Sequence, residues 1–202
     1  MRYNAAFRAA VSREALLARL GDAEVTLSSS NSYSHGVSTA RLSDYIASFP
    51  AASSLPAAYA SARSNETFYL FGPQRDPAWD ALMAQYRRPP ATGVDDAVLS
   101  FGAGGAGSGV AFHVHGPGYS EVLHGRKRWL LFPPGRDFPF DPDATVAQWV
   151  AEVLPKLDDD VETGSALFDC TIGPGELLFF PTAWYHAILN TAEFNVFVST
   201  FL

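Results

Sequence analysis

A chain of 202 residues that is 48% apolar and 17% charged, with 15 Phe and 8 Tyr, has the composition of one globular domain and not that of a disordered chain. Its formal net charge of −7 argues against the Lys/Arg-rich face that nucleic-acid binding requires, and no run approaches the roughly 18 apolar residues of a membrane span. Cys170 is the single cysteine, so no intramolecular disulfide forms, and it reads as a small buried hydrophobe.

Met1 to Ala10 carries two arginines without a long apolar core, so no secretory leader is read there. Ser12 to Leu20 is expected to be a helix. Ser12 caps it, Glu14 sits in its first turn, Leu16, Leu17 and Leu20 share a face, and Gly21 ends it. A strand follows at Glu24 to Leu27. Two short helices are predicted at Leu42 to Phe49 and Trp79 to Tyr86, the second opened by Asp76-Pro77 and closed before Pro89-Pro90. Between them Thr67 to Phe71 reads as a buried strand ended by Gly72.

From Leu99 onward closely spaced strands separated by Gly and Pro predict an all-β barrel or sandwich. They are expected at Leu99 to Phe101, Val110 to His115, Ser120 to Leu123, Lys127 to Phe132, Glu176 to Phe180, His186 to Leu189 and Phe194 to Phe201. Residues 135–163 read as an insertion with one helix, Thr145 to Leu154, and an acidic stretch, Asp158 to Glu162, taken as a solvated loop. The expected organisation is one domain over 1–202, with an elaboration over 1–98 and a barrel over 99–202. The glycine-rich segment Gly102 to Gly109 fails as a phosphate loop, because no Gly-Lys-Ser/Thr ends it and a strand follows. It reads as a mobile or tightly turned barrel loop. In Arg126-Lys127-Arg128, strand alternation puts both arginines on the face opposite Lys127, which reads as two solvated arginines flanking an inward lysine.

His113-Val114-His115 has the period of a strand, which puts both imidazoles on one face about 7 Å apart along the backbone. Alone, such a pair reads more readily as solvent-facing. Three of the five histidines, however, fit a two-part pattern: Gly107, five residues, His113-x-His115, then Gly125; later Gly175, five residues, Pro181, four residues, His186, three residues, Asn190. Two strands distant in sequence thus each supply imidazole, the donor that suits iron, zinc, copper or nickel and leaves open positions for substrate or water.

The segments FHVHGPGYSEVLHGRKRWLLFPP (112–134) and GPGELLFFPTAWYH (173–186) resemble the JmjC domains of iron(II)- and 2-oxoglutarate-dependent oxygenases. The resemblance implies a mainly β fold: a double-stranded β-helix, the JmjC/cupin jelly-roll barrel, with flanking N-terminal helices and one inserted helix. It matches His113 and His186 to the two iron-binding histidines and Lys127 to the lysine that meets the distal carboxylate of 2-oxoglutarate. Ser120 matches a polar position near that cosubstrate, and equally reads as a small residue filling the taper of the barrel. His115 stands where the family places Asp or Glu. A neutral ligand there raises the charge of the metal centre by one and weakens its hold on iron(II). The expected metal set is His113, His115 and His186, with Fe(II) and 2-oxoglutarate as the implied cofactors.

Two functions follow from the resemblance. One is a protein hydroxylase-like, iron- and 2-oxoglutarate-dependent dioxygenase whose turnover is placed in question by His115. The other is a non-catalytic JmjC-fold binding or regulatory protein that keeps a metal. Either implies a protein substrate or partner, and no nucleic acid. Glu121 is expected to point outward, at the surface or behind the ligands; a bulge would be needed to make it a ligand. His124 is expected to be exposed at a turn, His35 to lie in a Ser-rich loop, and Trp184 and Tyr185 to pack the barrel wall. Asn65-Glu66-Thr67 is a glycosylation acceptor triplet that, with the resemblance, points to the endoplasmic reticulum lumen over the cell interior.

Overall fold

The structure, a computed structural model, describes residues 3–29, 36–51, 68–72, 74, 76–90, 97–157 and 166–201. His35, the Asn65 triplet and Asp158 to Glu162 lie outside them. In chain order the elements are α1 (Ala5–Ala10), α2 (Arg13–Leu20), β1 (Glu24–Ser29), β2 (Val37–Arg41), α3 (Leu42–Ala47), β3 (Phe68–Gly72) and α4 (Pro77–Met83). There follow β4 (Leu99–Gly104), β5 (Gly109–His113), β6 (Gly118–His124), β7 (Lys127–Phe132), α5 (Val146–Glu152) and α6 (Leu154–Leu157). The chain ends with β8 (Phe168–Ile172), β9 (Leu177–Phe180), β10 (Tyr185–Asn190) and β11 (Asn195–Phe201).

All strand pairs are antiparallel, in a seven-stranded sheet ordered β2-β1-β3-β4-β11-β6-β9 and a four-stranded sheet ordered β5-β10-β7-β8. This is the expected jelly-roll barrel. The N-terminal strands continue its large sheet, because β3 pairs β4 with Leu70 opposite Ala103.

Apolar residues sort into three layers. Phe7, Leu16, Ile46 and Trp79 from the helices pack on Phe101, Val196 and Val198, covering the outer face of the large sheet. On the outer face of the small sheet, Phe112, Leu130 and Phe132 pack against Trp149 and Leu157 of α5 and α6. Trp129, Leu131, Phe180 and Ile188 fill the barrel between the sheets. Strand β7 is therefore buried on both faces, Leu130 and Phe132 outward and Trp129 and Leu131 inward. This accounts for its unbroken apolar run. Each such buried side chain contributes about 1.5–3 kcal/mol by leaving water.

The helix starts follow their caps. Ser12 Oγ accepts from Ala15 N at 3.2 Å, Asp76 Oδ1 from Ala78 N at 2.7 Å, and Thr145 Oγ1 from Gln148 N at 3.2 Å. Helix α1 carries no such signal, since the Asn4 side chain does not cap it. Strands β2 and β8 also have no amphipathic pattern, being exposed along most of their length and held by the ladders to β1 and β7. Cys170 lies in edge strand β8 and is exposed, which corrects its reading as a buried residue. The helix expected from Trp79 begins at Pro77 and ends at Met83.

Half of the glycine-rich segment is strand, and residues 105–108 make the turn between β4 and β5. All of it is buried. Gly109 cannot carry a side chain, since a Cβ there would lie 1.8 Å from the carbonyl oxygen of Ile188. No helix among the described residues is long and apolar enough to cross a membrane.

Candidate metal centre

The antiparallel register of β10 on β5 places His186 directly opposite His113. Strand β5 ends at His113, two residues short of its expected end, yet His115 still joins the pair. Its carbonyl accepts from Ala183 N at 3.2 Å, tying it to the Pro181–Trp184 turn, where Ala183 has φ 61°. The ring centroids are 4.2 Å apart for His113 and His186, 4.7 Å for His115 and His186, and 5.2 Å for His113 and His115. One nitrogen from each ring lies within 4.8 Å of the others.

Each Nδ1 faces a main-chain carbonyl: His113 that of Ala111 at 2.9 Å, His115 that of Gly116 at 2.7 Å, and His186 that of Trp184 at 2.9 Å. A carbonyl only accepts, so Nδ1 carries the proton in all three rings and the Nε2 lone pair is left for a ligand role. The Nε2 atoms of His115 and His186 are 3.2 Å apart. That separation matches two donors on one ion with bonds of roughly 2.0–2.1 Å. The residues present fit a metal.

Burial in apolar walls explains the electrostatics. His186 stacks on Phe180 at 4.8 Å and is 1% exposed. Desolvation, reinforced by the neighbouring imidazoles and Lys127, lowers His186 to about 3; desolvation lowers His113 to about 4. In the metal-free protein both rings are therefore neutral at pH 7. Their folded values lie below the ordinary 6.5, so the stability they contribute is complete above pH 6.5 and is lost as pH falls toward 4 and 3. For His186 the expected loss between pH 7 and pH 5 is about 2 kcal/mol. Urea unfolding at the two pH values measures it, and a His186→Gln variant should lose that much less than the native chain.

Lys127 points into the barrel as expected and is 3% exposed; Arg126 is exposed, and Arg128 pairs with Asp169 at 2.9 Å. The Lys127 ammonium lies 3.4 Å from Ser120 Oγ, which accepts from Ser199 Oγ at 2.9 Å. Among the described residues no carboxylate pairs with it, and burial pulls its pKa well below the ordinary lysine value. Its other close neighbour is the face of Phe197, 3.0 Å from Nζ to the ring centroid. The three histidines, Lys127, Phe197 and Ser199 line one cavity of about 60 Å³, room for roughly four water molecules. For a five-carbon dicarboxylate the charge at Lys127 is right and the space is not.

Glu121 points away from the barrel interior, as alternation requires, but it is not at the surface. It is 4% exposed, because the N-terminal segment covers this face, and it accepts from Asn4 Nδ2 and Tyr86 Oη at 2.8 Å each. Burial, and next the Glu121 charge, push the Tyr86 phenol far above its ordinary range. His124 is half-buried and bonds the carbonyl of Arg8 at 2.7 Å, so it is not the exposed turn residue expected. Tyr185 packs on Phe138, and Trp184 on Phe168, as wall residues. Phe197 and Ser199 were missed by sequence reasoning. Alternation along β11 sets them on one face, but nothing in the sequence says that this face is inward.

Residues 96–201 match the family described as the cupin-like domain. JmjC domain-containing protein 8 of Rattus norvegicus is 42% identical over 201 residues, covering 98% of this chain and 71% of that protein. Its Homo sapiens counterpart is 41% identical over 200 residues, covering 98% and 72%. The bifunctional arginine demethylase and lysyl-hydroxylase psr-1 of Caenorhabditis elegans is 32% identical over 113 residues, covering 49% of this chain and 28% of that protein.

Proposed function

Because this chain belongs to the JmjC family of cupin-like domains, we propose that it is a metal-binding JmjC-fold protein that has lost 2-oxoglutarate turnover and acts on or with a protein partner. His113, His115 and His186 are its metal ligands, and iron(II) is the ion that kinship favours. The observation that carries this reading is the convergence of three imidazoles whose Nδ1 protons are all committed to carbonyls. Those bonds set the tautomers and hold the rings ready, so little order has to be gained on binding. Phe180 and Trp129 exclude water from His186.

When bound, the metal supplies a Lewis-acidic centre with open positions. Three neutral ligands leave its full charge uncompensated, unlike a set containing a carboxylate, and this is the reason the oxygenase reaction is assigned as lost. A protein partner is favoured by the likeness to psr-1, a bifunctional arginine demethylase and lysyl-hydroxylase. A second reading, an active 2-oxoglutarate-dependent oxygenase, is favoured by one observation: the buried Lys127 ammonium has no carboxylate partner among the described residues.

Cobalt(II) titration followed by visible absorption tests the metal reading. His186→Ala should weaken binding by on the order of 100-fold, given that even groups behind the ligands matter by about 10- to 100-fold. Equal affinity in the two proteins would remove the three histidines from the assignment. Succinate formation by the iron-loaded native chain in oxygenated buffer would establish the second reading instead.

A further inference from the structure

We propose that Phe197 decides which anions reach Lys127: its ring occupies the space that the carbon chain of a dicarboxylate needs, so the native site rejects 2-oxoglutarate and a smaller residue at 197 admits it. The inference rests on the metal-and-anion reading of this cavity given above.

Strand β11 alternates between two environments. Val196 and Val198 turn outward into the core beneath the helices, while Phe197 and Ser199 turn into the cavity. Ser199 lies opposite Ser120 on β6, and their hydroxyls, with Lys127, make a polar corner suited to one small anionic group. Phe197 closes that corner. Its ring face meets the ammonium at 3.0 Å, so part of the charge that would attract a carboxylate is met by the electron-rich face of an aromatic ring. A carboxylate brought to the same spot would face that negative ring surface and be repelled.

The ring has no room to step aside. A Cβ built on Gly102, its partner across β4, would lie 2.2 Å from the ring Cζ, so the ring occupies the space a side chain would take. Phe71 stacks against it at 5.9 Å. Phe197 is itself 3% exposed. Part of the glycine-rich segment is thereby explained, since Gly102 gives its side-chain volume to Phe197. The cavity that remains, about 60 Å³, is far below the roughly 300 Å³ at which small-molecule pockets begin.

Calorimetric titration of 2-oxoglutarate into the zinc-loaded full chain tests this for the native protein, Phe197→Ala and Phe197→Leu, each with and without Lys127→Met. Phe197→Ala is expected to bind at least about tenfold more tightly than the native chain, with Phe197→Leu between them and the gain abolished by Lys127→Met. Native binding with a Kd below about 0.1 mM would overturn the proposal, as would a gain that survives Lys127→Met. Should Phe197→Ala fail to unfold cooperatively, Phe197→Leu and the native titration still decide. Zinc content is measured on the same samples. Absence of zinc defeats the metal reading, while titration of the metal-free chain still reads whether Phe197 guards Lys127.

Discussion

His115→Asp is expected to raise iron(II) affinity by on the order of 10- to 100-fold without producing succinate. The affinity rises because one neutral ligand becomes an anion, lowering the charge of the centre by one unit in a site walled by Phe180 and Trp129; the range is the one by which even supporting groups around a metal are known to matter. Succinate stays absent because Phe197 still covers Lys127. The double variant His115→Asp with Phe197→Ala is the form in which 2-oxoglutarate decarboxylation is expected. Iron titration and succinate assays on the three proteins separate the possibilities. Succinate from the single variant would show that the anion site was never closed. Unchanged iron affinity would show that His113 and His186 do not act as an iron pair.

Glu121→Ala is expected to lower stability by about 3 kcal/mol while leaving cobalt affinity unchanged. Truncation strips the acceptor from Tyr86 Oη and from one of the two Asn4 Nδ2 protons, both held at 2.8 Å in a region closed to water, while the other Asn4 proton keeps the Arg87 carbonyl at 2.9 Å. An orphaned buried donor costs about 1–3 kcal/mol, and two are created. In a chain of this size the loss corresponds to roughly 6–12 °C in Tm. Glu121→Gln, which keeps an acceptor for the Tyr86 hydroxyl, should lose less. A fall in cobalt affinity in either variant would place this carboxylate at the metal and overturn its assignment as a tie between β6 and the N-terminal segment.

Much of the barrel was legible in the sequence, because strand alternation and turn residues are local signals. Strand β7 was read at its observed ends, Ser12 and Asp76-Pro77 marked two helix starts, and period two set Lys127 on the face opposite its flanking arginines, which read as solvated. The meeting of His113, His115 and His186 was also readable, since their spacing fits a two-strand pattern and the barrel register does the rest. What the sequence could not convey were properties that depend on what covers a face. Glu121 alternates outward whether that face meets water or protein, and it is the approach of Asn4 and Tyr86 that takes it from the surface. Cys170 looks like a core residue until β8 is seen to be an edge strand exposed along most of its length. The face of β11 carrying Phe197 and Ser199 became inward only because Val196 and Val198 were taken up by the helices. Local pattern determines which residues share a face, and tertiary packing determines what that face meets, because burial is a property of the neighbours brought by the rest of the chain.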